Sequence, residues 1–293
     1  MATSNKILVI YLLGSGHCGS TLLDLIMDSH SQIVGVGELS NWFFEKEKQS
    51  KILCTCRRPL SKCSFWQEVS KGIPVDFQFS DSKLEIYRKK IDFLFNRKRY
   101  VFASAKTKKV NLERYLKLNE KIYENILTVS RKKAIFDSSK DVERASILLA
   151  SDKLEVILLH LVRDGRGVSY SYKKKYGGII SPMLRWTLKN LKIEILKRRY
   201  PRKFIFLRYE DFCKNPEQAI EKVLKRIGFT FEPKMLEFRR KIHHQVGGNR
   251  LRFLIEEQQI KEDTAWKTKL PLLDKIIFNL LFGWLNLFYQ KIK

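Results

Sequence analysis

The chain is short of cysteine and contains no long unbroken apolar segment. Its 293 residues include only five cysteines, an odd and low number that does not suit a disulfide-linked scaffold. No run reaches the roughly 18–20 consecutive apolar residues that a helix needs to cross a bilayer. The hydrophobic share of 44% is typical of a globular protein with a packed core. We therefore expect a soluble globular protein rather than a membrane-spanning or disulfide-rich one.

Acidic residues are scarce relative to basic ones. Lysine and arginine number 57 against 31 aspartates and glutamates, which gives a formal net charge of +26. Such a charge predicts anionic partners without identifying them. The basic residues are spread along the whole chain, and no helix-turn-helix, zinc-finger or RNA-binding aromatic motif accompanies them. We therefore predict no specific nucleic-acid recognition, although salt-sensitive, sequence-independent binding is compatible with this charge.

The N-terminal segment lacks the pattern of a secretory signal. Lys6 precedes an apolar run, Ile7–Leu13, but this run leads into a glycine-rich turn rather than a small-residue cleavage site. A continuous run of branched apolar residues is instead typical of a central strand in a parallel sheet. This pattern predicts a cytoplasmic protein.

Hydrophobic runs alternate with helix-like segments along the chain. The runs predict strands at Ile7–Leu13, Ile33–Val36, Ala134–Phe136, Val156–Val162 and Phe204–Leu207. This alternation predicts an α/β fold of three layers, a central parallel sheet with helices on both faces. We predict a single domain over residues 1–293 with a largely helical insertion at about 45–130. Such sheets bind ligands beyond the carboxyl ends of their strands, so the residues after each strand are candidate site residues.

The first predicted strand is followed by a glycine-rich turn, Gly14–Thr21. A turn of this kind at a helix N-terminus offers backbone N–H donors and a positive dipole end, which suit phosphate or a similar anion. The spacing from Gly14 to Gly19 nearly matches a Walker A loop, but Ser20 stands where the Walker lysine would be. That lysine neutralises the phosphates of ATP or GTP. The turn therefore predicts an anion site that does not act on a nucleoside triphosphate, with a plain strand–helix turn as the alternative.

Polar side chains follow the other predicted strands as well. Glu38 is a candidate general base, and Lys140 is a candidate stabiliser of a leaving oxygen. Arg163 at a strand end and Ser171 in the following helix can converge on one phosphate. Tyr209 can stack on a base or hydrogen-bond to a phosphate. Each residue alone is also compatible with a surface or packing role, but all of them are predicted at one edge of the same sheet.

The glycine-rich turn resembles the donor loop of the sulfotransferases that use 3′-phosphoadenylyl sulfate (PAPS). The bacterial branch related to tyrosylprotein and carbohydrate sulfotransferases is the most similar, and the similarity extends from about Ile7 to Tyr289. In the Gly14–Thr21 loop, His17 stands in place of the usual arginine or lysine, and Cys18 stands in place of serine or threonine. The resemblance implies a P-loop-containing enzyme that takes PAPS as its co-substrate.

Other segments of the chain are similar to further motifs of this family. Leu161–Arg166 together with Ser171 resembles the motif that binds the 3′-phosphate of PAPS. Glu38 and Asp137–Lys140 resemble the segments that carry the catalytic glutamate and lysine of the tyrosylprotein branch. His244–Arg252 looks like the donor-covering loop near the C-terminus of the bacterial branch.

The resemblance assigns roles to individual residues. The implied catalytic residues are Glu38, Lys140 and His17. The implied donor-binding residues are Gly16, His17, Cys18, Gly19, Ser20, Thr21, Arg163, Ser171, Tyr209, Gly248, Asn249 and Arg252. A histidine is only partly charged at neutral pH, so we expect donor binding to be weaker than with arginine or to depend on pH.

The implied reaction moves a sulfuryl group from PAPS to a hydroxyl or amine on a glycan, lipid or small molecule. Glu38 removes the acceptor proton, and Lys140 with His17 stabilises the leaving phosphate oxygen. No metal is required, and the positive charge permits a polyanionic glycan or lipid as acceptor. The alternative is a P-loop kinase of small molecules, in which Asp137 would hold Mg²⁺.

Two further segments carry open alternatives. Cys54, Cys56 and Cys63 can bind zinc with a fourth ligand or form one disulfide. No histidine lies near them in the sequence, so we predict thiols or a structural pairing. The stripe of apolar residues over Ile276–Tyr289 predicts a helix that packs on the core, with contact to a membrane interface as the alternative.

Overall fold

A parallel sheet forms the centre of the protein in the computed structural model, which describes residues 6–41, 52–73, 105–254 and 259–292. The strands of this sheet are β1 (Ile7–Leu13), β2 (Ile33–Gly37), β3 (Ala134–Asp137), β4 (Leu154–Val162) and β5 (Phe204–Arg208). The predicted strands are confirmed, and no end differs from the predicted one by more than two residues. Unbroken apolar runs predict these ends well because the strands of a parallel sheet lie largely between two layers of helices.

The strand order across the sheet is β2-β3-β1-β4-β5, so β1 is central. Val9 of β1, for example, lies opposite Ile135 of β3 and Val156 of β4 in parallel pairing. The chain places β2 and β3 on one side of β1 and β4 and β5 on the other. The carboxyl end of β1 is therefore the topological switch point, where open α/β sheets bind their ligands.

Both faces of the sheet are buried. Along β1, Val9 and Tyr11 pack into one core cluster, whereas Ile10 and Leu12 pack into a second. All four side chains have 0% exposure. A strand that is buried on both faces requires helices on both sides of the sheet. The predicted three-layer α/β fold is confirmed.

Helices form the outer layers and the connections. Their bounds are α1 (Ser20–Asp28), α2 (Ser64–Lys71), α3 (Ala105–Ser130), α4 (Val142–Leu148), α5 (Gly165–Tyr176), α6 (Ile180–Arg199), α7 (Tyr209–Lys214), α8 (Pro216–Arg226), α9 (Ala265–Lys269) and α10 (Leu272–Lys291). The carboxylates of Asp141 and Asp164 cap α4 and α5 by accepting hydrogen bonds from the backbone N–H groups of Arg144 and Arg166. These caps fix where the chain turns into a helix after β3 and after β4.

The predicted helical insertion at about 45–130 falls partly outside the described residues, which omit 42–51 and 74–104. The described part contains α2 and α3. An apolar stripe of α3 is buried or partly buried against the core, at Tyr115, Leu118, Ile122, Ile126 and Val129. The division of the chain into a single domain with one insertion stays a prediction.

Helix α10 packs on the core along one face only. Phe278, Leu285 and Tyr289 are buried in a cluster with residues of α5 and α6. The predicted packing of this helix is therefore confirmed. Its other surface exposes the large apolar side chains of Leu272, Leu273, Ile276, Leu280, Leu281, Trp284, Leu287 and Phe288.

By length and composition alone, α10 is also long and apolar enough to cross a membrane. It has 20 residues, and its most apolar window has a mean hydropathy of 1.3. The expectation of a chain without a membrane-spanning segment is therefore not confirmed. It rested on unbroken apolar runs, whereas polar residues such as Asp274 and Asn286 interrupt this helix. Both of these polar side chains lie on the buried face, where Asn286 accepts a hydrogen bond from the N–H of Gly165 at 3.0 Å.

Candidate active site

A large pocket opens at the carboxyl edge of the sheet, and its volume is about 1200 Å³. Every strand contributes a residue that follows its end: the turn after β1, Glu38 after β2, Lys140 after β3, Arg163 after β4 and Tyr209 after β5. The structure thus brings together the strand-end residues that the sequence placed at one edge. The physical reason is that the carboxyl ends of parallel strands share one side of the sheet.

The turn after β1 presents its backbone to the pocket. Gly19 has a φ of 95°, and α1 begins at the next residue, Ser20. A Cβ atom on Gly19 would lie 2.5 Å from the ring of Tyr209, so both the conformation and the available space require glycine. Gly19, Ser20 and Thr21 all line the pocket. The N-terminus of α1, with its free N–H groups and positive dipole end, is therefore available to an anion in this pocket.

Cys18 does not offer its side chain to the pocket. The thiol has 0% exposure and packs among the apolar residues beneath α1. A cysteine side chain behaves as a small apolar group and is readily buried. The predicted donor binding by Cys18 is therefore limited to its backbone, since the thiol is buried.

His17 lines the pocket at a left-handed turn position, with a φ of 61°. Its ring packs edge-on against Tyr172, with 4.6 Å between the ring centroids. Burial lowers the pKa of His17 from its ordinary value, and the positive charges of Lys175 and Arg163 lower this pKa further. This lowered pKa favours the neutral imidazole, which can serve as a hydrogen-bonding group.

Glu38 and Lys140 form an ion pair at the pocket. The Nζ atom of Lys140 donates to Oε1 of Glu38 at 2.7 Å and to the carbonyl oxygen of Ser138 at 2.9 Å. Lys140 has a φ of 63°, a conformation that a lysine adopts only when its surroundings hold it there. The N–H of Glu38 donates to the carbonyl oxygen of Val246 at 2.6 Å, which fixes the backbone beside the carboxylate. A carboxylate and an ammonium group are thus held in direct contact.

Asp137, directly before this segment, faces the core instead of the pocket. Its carboxylate accepts hydrogen bonds from Arg144 and from the Tyr123 hydroxyl, both at 2.7 Å, and from the N–H of Ser139 at 2.9 Å. The side chains of Asp137 and Arg144 are only 0% and 1% exposed. Among the residues that the structure describes, Asp137 is not part of the pocket lining. It is therefore not placed to hold a metal ion at this site.

Arg163 lies directly beneath the glycine-rich turn. It donates to the carbonyl oxygen of His17 at 3.0 Å and to the carboxylate of Asp263 at 3.0 Å, and its guanidinium lies 4.7 Å from the ring centre of Tyr209. Burial alone would raise the pKa of Asp263, but the hydrogen bond and charge of Arg163 lower it overall. The guanidinium of Arg163 thus places a positive charge beside the loop. An anionic ligand would compete with Asp263 for binding to this guanidinium.

The predicted covering loop is only partly at the pocket. Gly248 and Asn249 line it, and the N–H of Asn249 donates to Oγ1 of Thr21 at 3.0 Å. Arg252 lines a separate, smaller cavity, where its Nη2 donates to the carbonyl oxygen of Leu53 at 3.0 Å. Its Nη1 atom would lie 3.6 Å from a Cβ atom on Gly248, so the guanidinium stays beside the loop that borders the larger pocket. Donor binding by Arg252 stays a prediction.

Helices α5 and α6 supply one predicted and several unpredicted residues. Ser171, which the sequence predicts, lines the pocket and donates to the carbonyl oxygen of Gly167 at 2.9 Å. The unpredicted lining residues include Lys175, Arg185 and Lys189. Arg185 and Lys189 are four positions apart on α6 and so share a face of that helix. These residues are far in sequence from the strand ends, so the sequence alone did not predict that they line the pocket.

The pocket is strongly cationic. Its lining includes seven lysine and arginine side chains but only two carboxylates, those of Glu38 and Asp263, among the described residues. Burial lowers the pKa of Lys189, while the charges of Asp141 and Glu143 act in the opposite direction. An excess of positive charge in a concave site raises the local concentration of anions. The site therefore suits a ligand with several negative charges.

The chain is similar to solved structures of sulfotransferases. The sulfotransferase domain of the Synechococcus PCC 7002 olefin synthase has a TM-score of 0.55 and 17% identity, and the match covers 97% of each chain. The sulfotransferase domain of the curacin biosynthetic pathway has a TM-score of 0.56 and 18% identity, covering 95% of this chain and 97% of that one. No protein-family model and no curated protein matches the chain. The sulfotransferase resemblance indicated by the motifs is thereby confirmed at the level of the fold.

Proposed function

We propose that this chain, which has the fold of the sulfotransferases, transfers a sulfuryl group from PAPS to an acceptor hydroxyl or amine. One observation carries the proposal: an anion loop without a Walker lysine, the charged Arg163 and the Glu38–Lys140 pair all open into a single cationic pocket. PAPS has a phosphosulfate at one end of its ribose and a 3′-phosphate elsewhere on it. A donor of this shape needs separate anion subsites in one pocket, which this arrangement offers.

In this proposal the phosphosulfate lies at the N-terminus of α1, against the backbone of Gly16–Thr21. The N–H groups and the helix dipole stabilise its negative charge. Arg163 and Ser171 hold the 3′-phosphate, because both line the same pocket behind the loop. The phosphate then takes the place of Asp263 as the partner of Arg163, whose planar guanidinium suits two phosphate oxygens.

The reaction is an in-line displacement at sulfur. The acceptor oxygen or nitrogen forms a bond to sulfur, the bond from sulfur to the phosphate oxygen breaks, and Glu38 takes the acceptor proton. Lys140 stabilises the negative charge on the departing adenosine 3′,5′-bisphosphate, and neutral His17 donates a hydrogen bond to it. The contact of 2.7 Å between Glu38 and Lys140 supports these roles, because both side chains act at the same reaction centre. Positioning and electrostatics supply the catalysis.

A kinase of small molecules is the alternative reading of the same loop, and two features of the site disfavour it. Ser20 replaces the lysine that would neutralise a nucleoside triphosphate. Asp137, the candidate for holding Mg²⁺, is buried in an ion pair with Arg144 at 2.7 Å. Because breaking such a buried pair is costly, Asp137 is a poor metal ligand here.

Adenosine 3′,5′-bisphosphate is expected to raise the melting temperature strongly, whereas Mg-ATP has little effect, because only the former carries the 3′-phosphate. A ligand present at about 100 times its Kd stabilises the folded state by about 2.7 kcal/mol. The measurement is a thermal-shift titration of both nucleotides, with adenosine 5′-monophosphate as the reference that lacks the 3′-phosphate. The Arg163→Met variant should no longer distinguish the bisphosphate from the monophosphate. A larger shift with Mg-ATP would support the kinase instead.

We further propose that the exposed surface of α10 contacts an anionic membrane. This surface presents large apolar side chains, including Trp284 and Phe288, to solvent. Lysines flank it at Lys267, Lys269, Lys275 and Lys291, and the whole chain has a net charge of +26. Apolar and aromatic side chains beside lysines suit the headgroup region of an anionic bilayer.

The expected result is that the protein sediments with vesicles of phosphatidylserine and phosphatidylcholine but much less with phosphatidylcholine alone. The double variant Leu280→Glu, Trp284→Glu should abolish this binding, because charge on the apolar surface opposes insertion. Ile195→Glu changes an apolar residue on α6 whose exposed fraction lies between those of Trp284 and Leu280, and this matched control should bind as wild type. Equal sedimentation of the double variant and the wild type would show that α10 is not the contact.

A further inference from the structure

Four metal-ligating side chains that are distant in sequence meet outside the pocket. They are Cys54, Cys56, Cys63 and His244, and their ligand atoms all lie within 4.8 Å of one another. The Nδ1 atom of His244 is 3.3 Å from Sγ of Cys63 and 3.9 Å from Sγ of Cys54. The sulfurs of Cys56 and Cys63 are 3.7 Å apart. The cysteines have no histidine near them in the sequence, but the fold brings His244 to them from a distant loop.

The three separations of 3.3, 3.7 and 3.9 Å are close to the edges of a tetrahedral zinc site. With Zn–S bonds of about 2.3 Å and a Zn–N bond of about 2.0 Å, neighbouring ligand atoms lie roughly 3.5–3.8 Å apart. A disulfide instead requires two sulfurs at about 2.05 Å. In this structure all five cysteines are free thiols. Of the arrangements open from the sequence, the geometry favours a metal site over a pairing.

A short hairpin and the start of a helix present the three thiols. Leu53 bridges Pro59, and within this hairpin the N–H of Cys54 donates to the carbonyl oxygen of Arg58 at 2.8 Å. The hairpin turns tightly enough to bring Cys54 and Cys56 to one side. The third thiol comes from Cys63, which directly precedes α2. The three sulfurs therefore sit on backbone that is fixed by hydrogen bonds.

The ring of His244 is held in place from two sides. The ring of Phe65 stacks on it, with 5.3 Å between centroids and 12° between planes. The indole N–H of Trp66 donates to the carbonyl oxygen of His244 at 2.9 Å. Both aromatic residues belong to α2, the helix that follows Cys63. The segment from Cys63 into α2 thus provides one thiol and also orients the imidazole of His244 toward that thiol. Residues just outside a metal site orient the metal ligands in the same way.

A positive charge lies beside the cluster. The Nη2 atom of Arg252 donates to the carbonyl oxygen of Leu53, one residue before Cys54. Its Nε and Nη1 atoms are buried and have no hydrogen-bond partner among the described residues. Cys54 is near enough to interact with the Arg252 charge. A zinc ion with three thiolates and one neutral imidazole carries a net charge of −1, for which this guanidinium is a suitable counter-charge.

We propose that four side chains bind one structural Zn²⁺ ion: Cys54, Cys56, Cys63 and His244. Four protein ligands complete the tetrahedral coordination of a zinc ion and leave no position for a substrate. The ion would therefore be structural rather than catalytic. Binding converts three thiols into thiolates and releases three protons, with no change of oxidation state. This site is separate from the donor pocket, and the proposal does not depend on the activity proposed above.

The zinc ion would fasten the loop that borders the active site. Next to His244, the carbonyl oxygen of Gln245 accepts a hydrogen bond from the N–H of Thr55 at 3.2 Å. The following residue, Val246, accepts from the N–H of Glu38 and pairs with Gly37. The same loop continues to Gly248 and Asn249 at the pocket. Zinc binding therefore stabilises the backbone that positions the proposed catalytic base.

The first test uses the unmodified protein. The full chain, expressed with added zinc and purified without chelator, should contain one equivalent of zinc by plasma mass spectrometry. After exchange with Co²⁺ it should show the visible bands of a tetrahedral cobalt centre and a thiolate-to-cobalt charge-transfer band. Chelation should lower the melting temperature, and added zinc should restore it. A folded, zinc-supplemented wild-type chain without bound zinc would overturn the proposal.

The second test uses matched variants. Cys63→Ser and His244→Ala should reduce bound zinc from one equivalent to a small fraction, whereas Cys213→Ser should keep it, because Cys213 is a buried thiol on α7 outside the cluster. His244→Cys retains a fourth zinc ligand and should retain the metal. If Cys63→Ser does not fold, zinc release from the wild type by a thiol-blocking reagent gives the same information. Zinc retained at full stoichiometry after all three thiols are blocked would contradict the assignment.

Discussion

Replacing Glu38 by glutamine is expected to lower kcat for sulfuryl transfer by about 10²–10⁴-fold, because the acceptor proton then has no base. Glutamine keeps the size of the side chain and can still contact Lys140, which lies 2.7 Å from the carboxylate. The melting-temperature shift with adenosine 3′,5′-bisphosphate should therefore remain. The rate is measured with ³⁵S-labelled PAPS, using the acceptor fraction that the wild type labels in extracts of host glycans, lipids and small molecules.

Replacing Lys140 by methionine tests the other half of the pair. It removes the charge that stabilises the leaving phosphate, so kcat should fall by about 10²–10³-fold. If both residues act in the same step, the double variant should lose much less than the product of the two single effects. The control is a surface pair of the same types on α3, Lys121 and Glu124 at 2.9 Å, whose Lys121→Met and Glu124→Gln variants should keep full activity. Wild-type rates in Glu38→Gln would exclude the base role.

The strands and the edge that carries the site could be predicted because they depend on local patterns. β1 and β4 are unbroken apolar runs, so their extents are readable from the chain alone. Once the strands are known to be parallel, their carboxyl ends share one edge. The positions of Glu38, Lys140 and Arg163 in one pocket follow from that topology. The roles of these residues came from the family resemblance and stay predictions.

The parts that the sequence did not predict depend on contacts between distant segments. His244 reaches the cysteines across 181 residues from Cys63, and no spacing rule covers such a distance. Cys18 lies in the expected loop, but its side chain is turned into the core because burial is favourable for a thiol. Arg252 also lies in an expected loop, yet it donates to the carbonyl oxygen of Leu53, beside the cysteine cluster. The sequence therefore predicted which loops contribute to the site, whereas the directions of their side chains depend on packing in the folded protein.

The network behind Lys140 gives the largest expected effect on stability. Arg144 and Asp137 form a fully buried pair at 2.7 Å, and Asn119 also accepts hydrogen bonds from the Arg144 guanidinium, at 2.8 and 3.2 Å. Replacing Arg144 by methionine leaves the Asp137 carboxylate buried without its counter-charge. Breaking one side of such a pair costs about 3–5 kcal/mol in the free energy of unfolding. Urea denaturation of the variant and the wild type measures this loss.

The cause can be separated from the loss of side-chain packing by removing both charges together. The double variant Arg144→Met, Asp137→Asn leaves no unpaired buried charge, so it should recover part of the stability that Arg144→Met loses. The exposed pair Lys71 and Glu68, at 2.6 Å, is the control, and its Lys71→Met variant should change the free energy of unfolding by less than about 1 kcal/mol. A double variant less stable than Arg144→Met would show that the hydrogen bonds of Asp137, rather than its missing counter-charge, determine the effect. Asp137 also accepts a hydrogen bond from the N–H of Ser139, the residue before Lys140. When the Asp137–Arg144 pair is broken, the segment that contains Lys140 should therefore become less ordered.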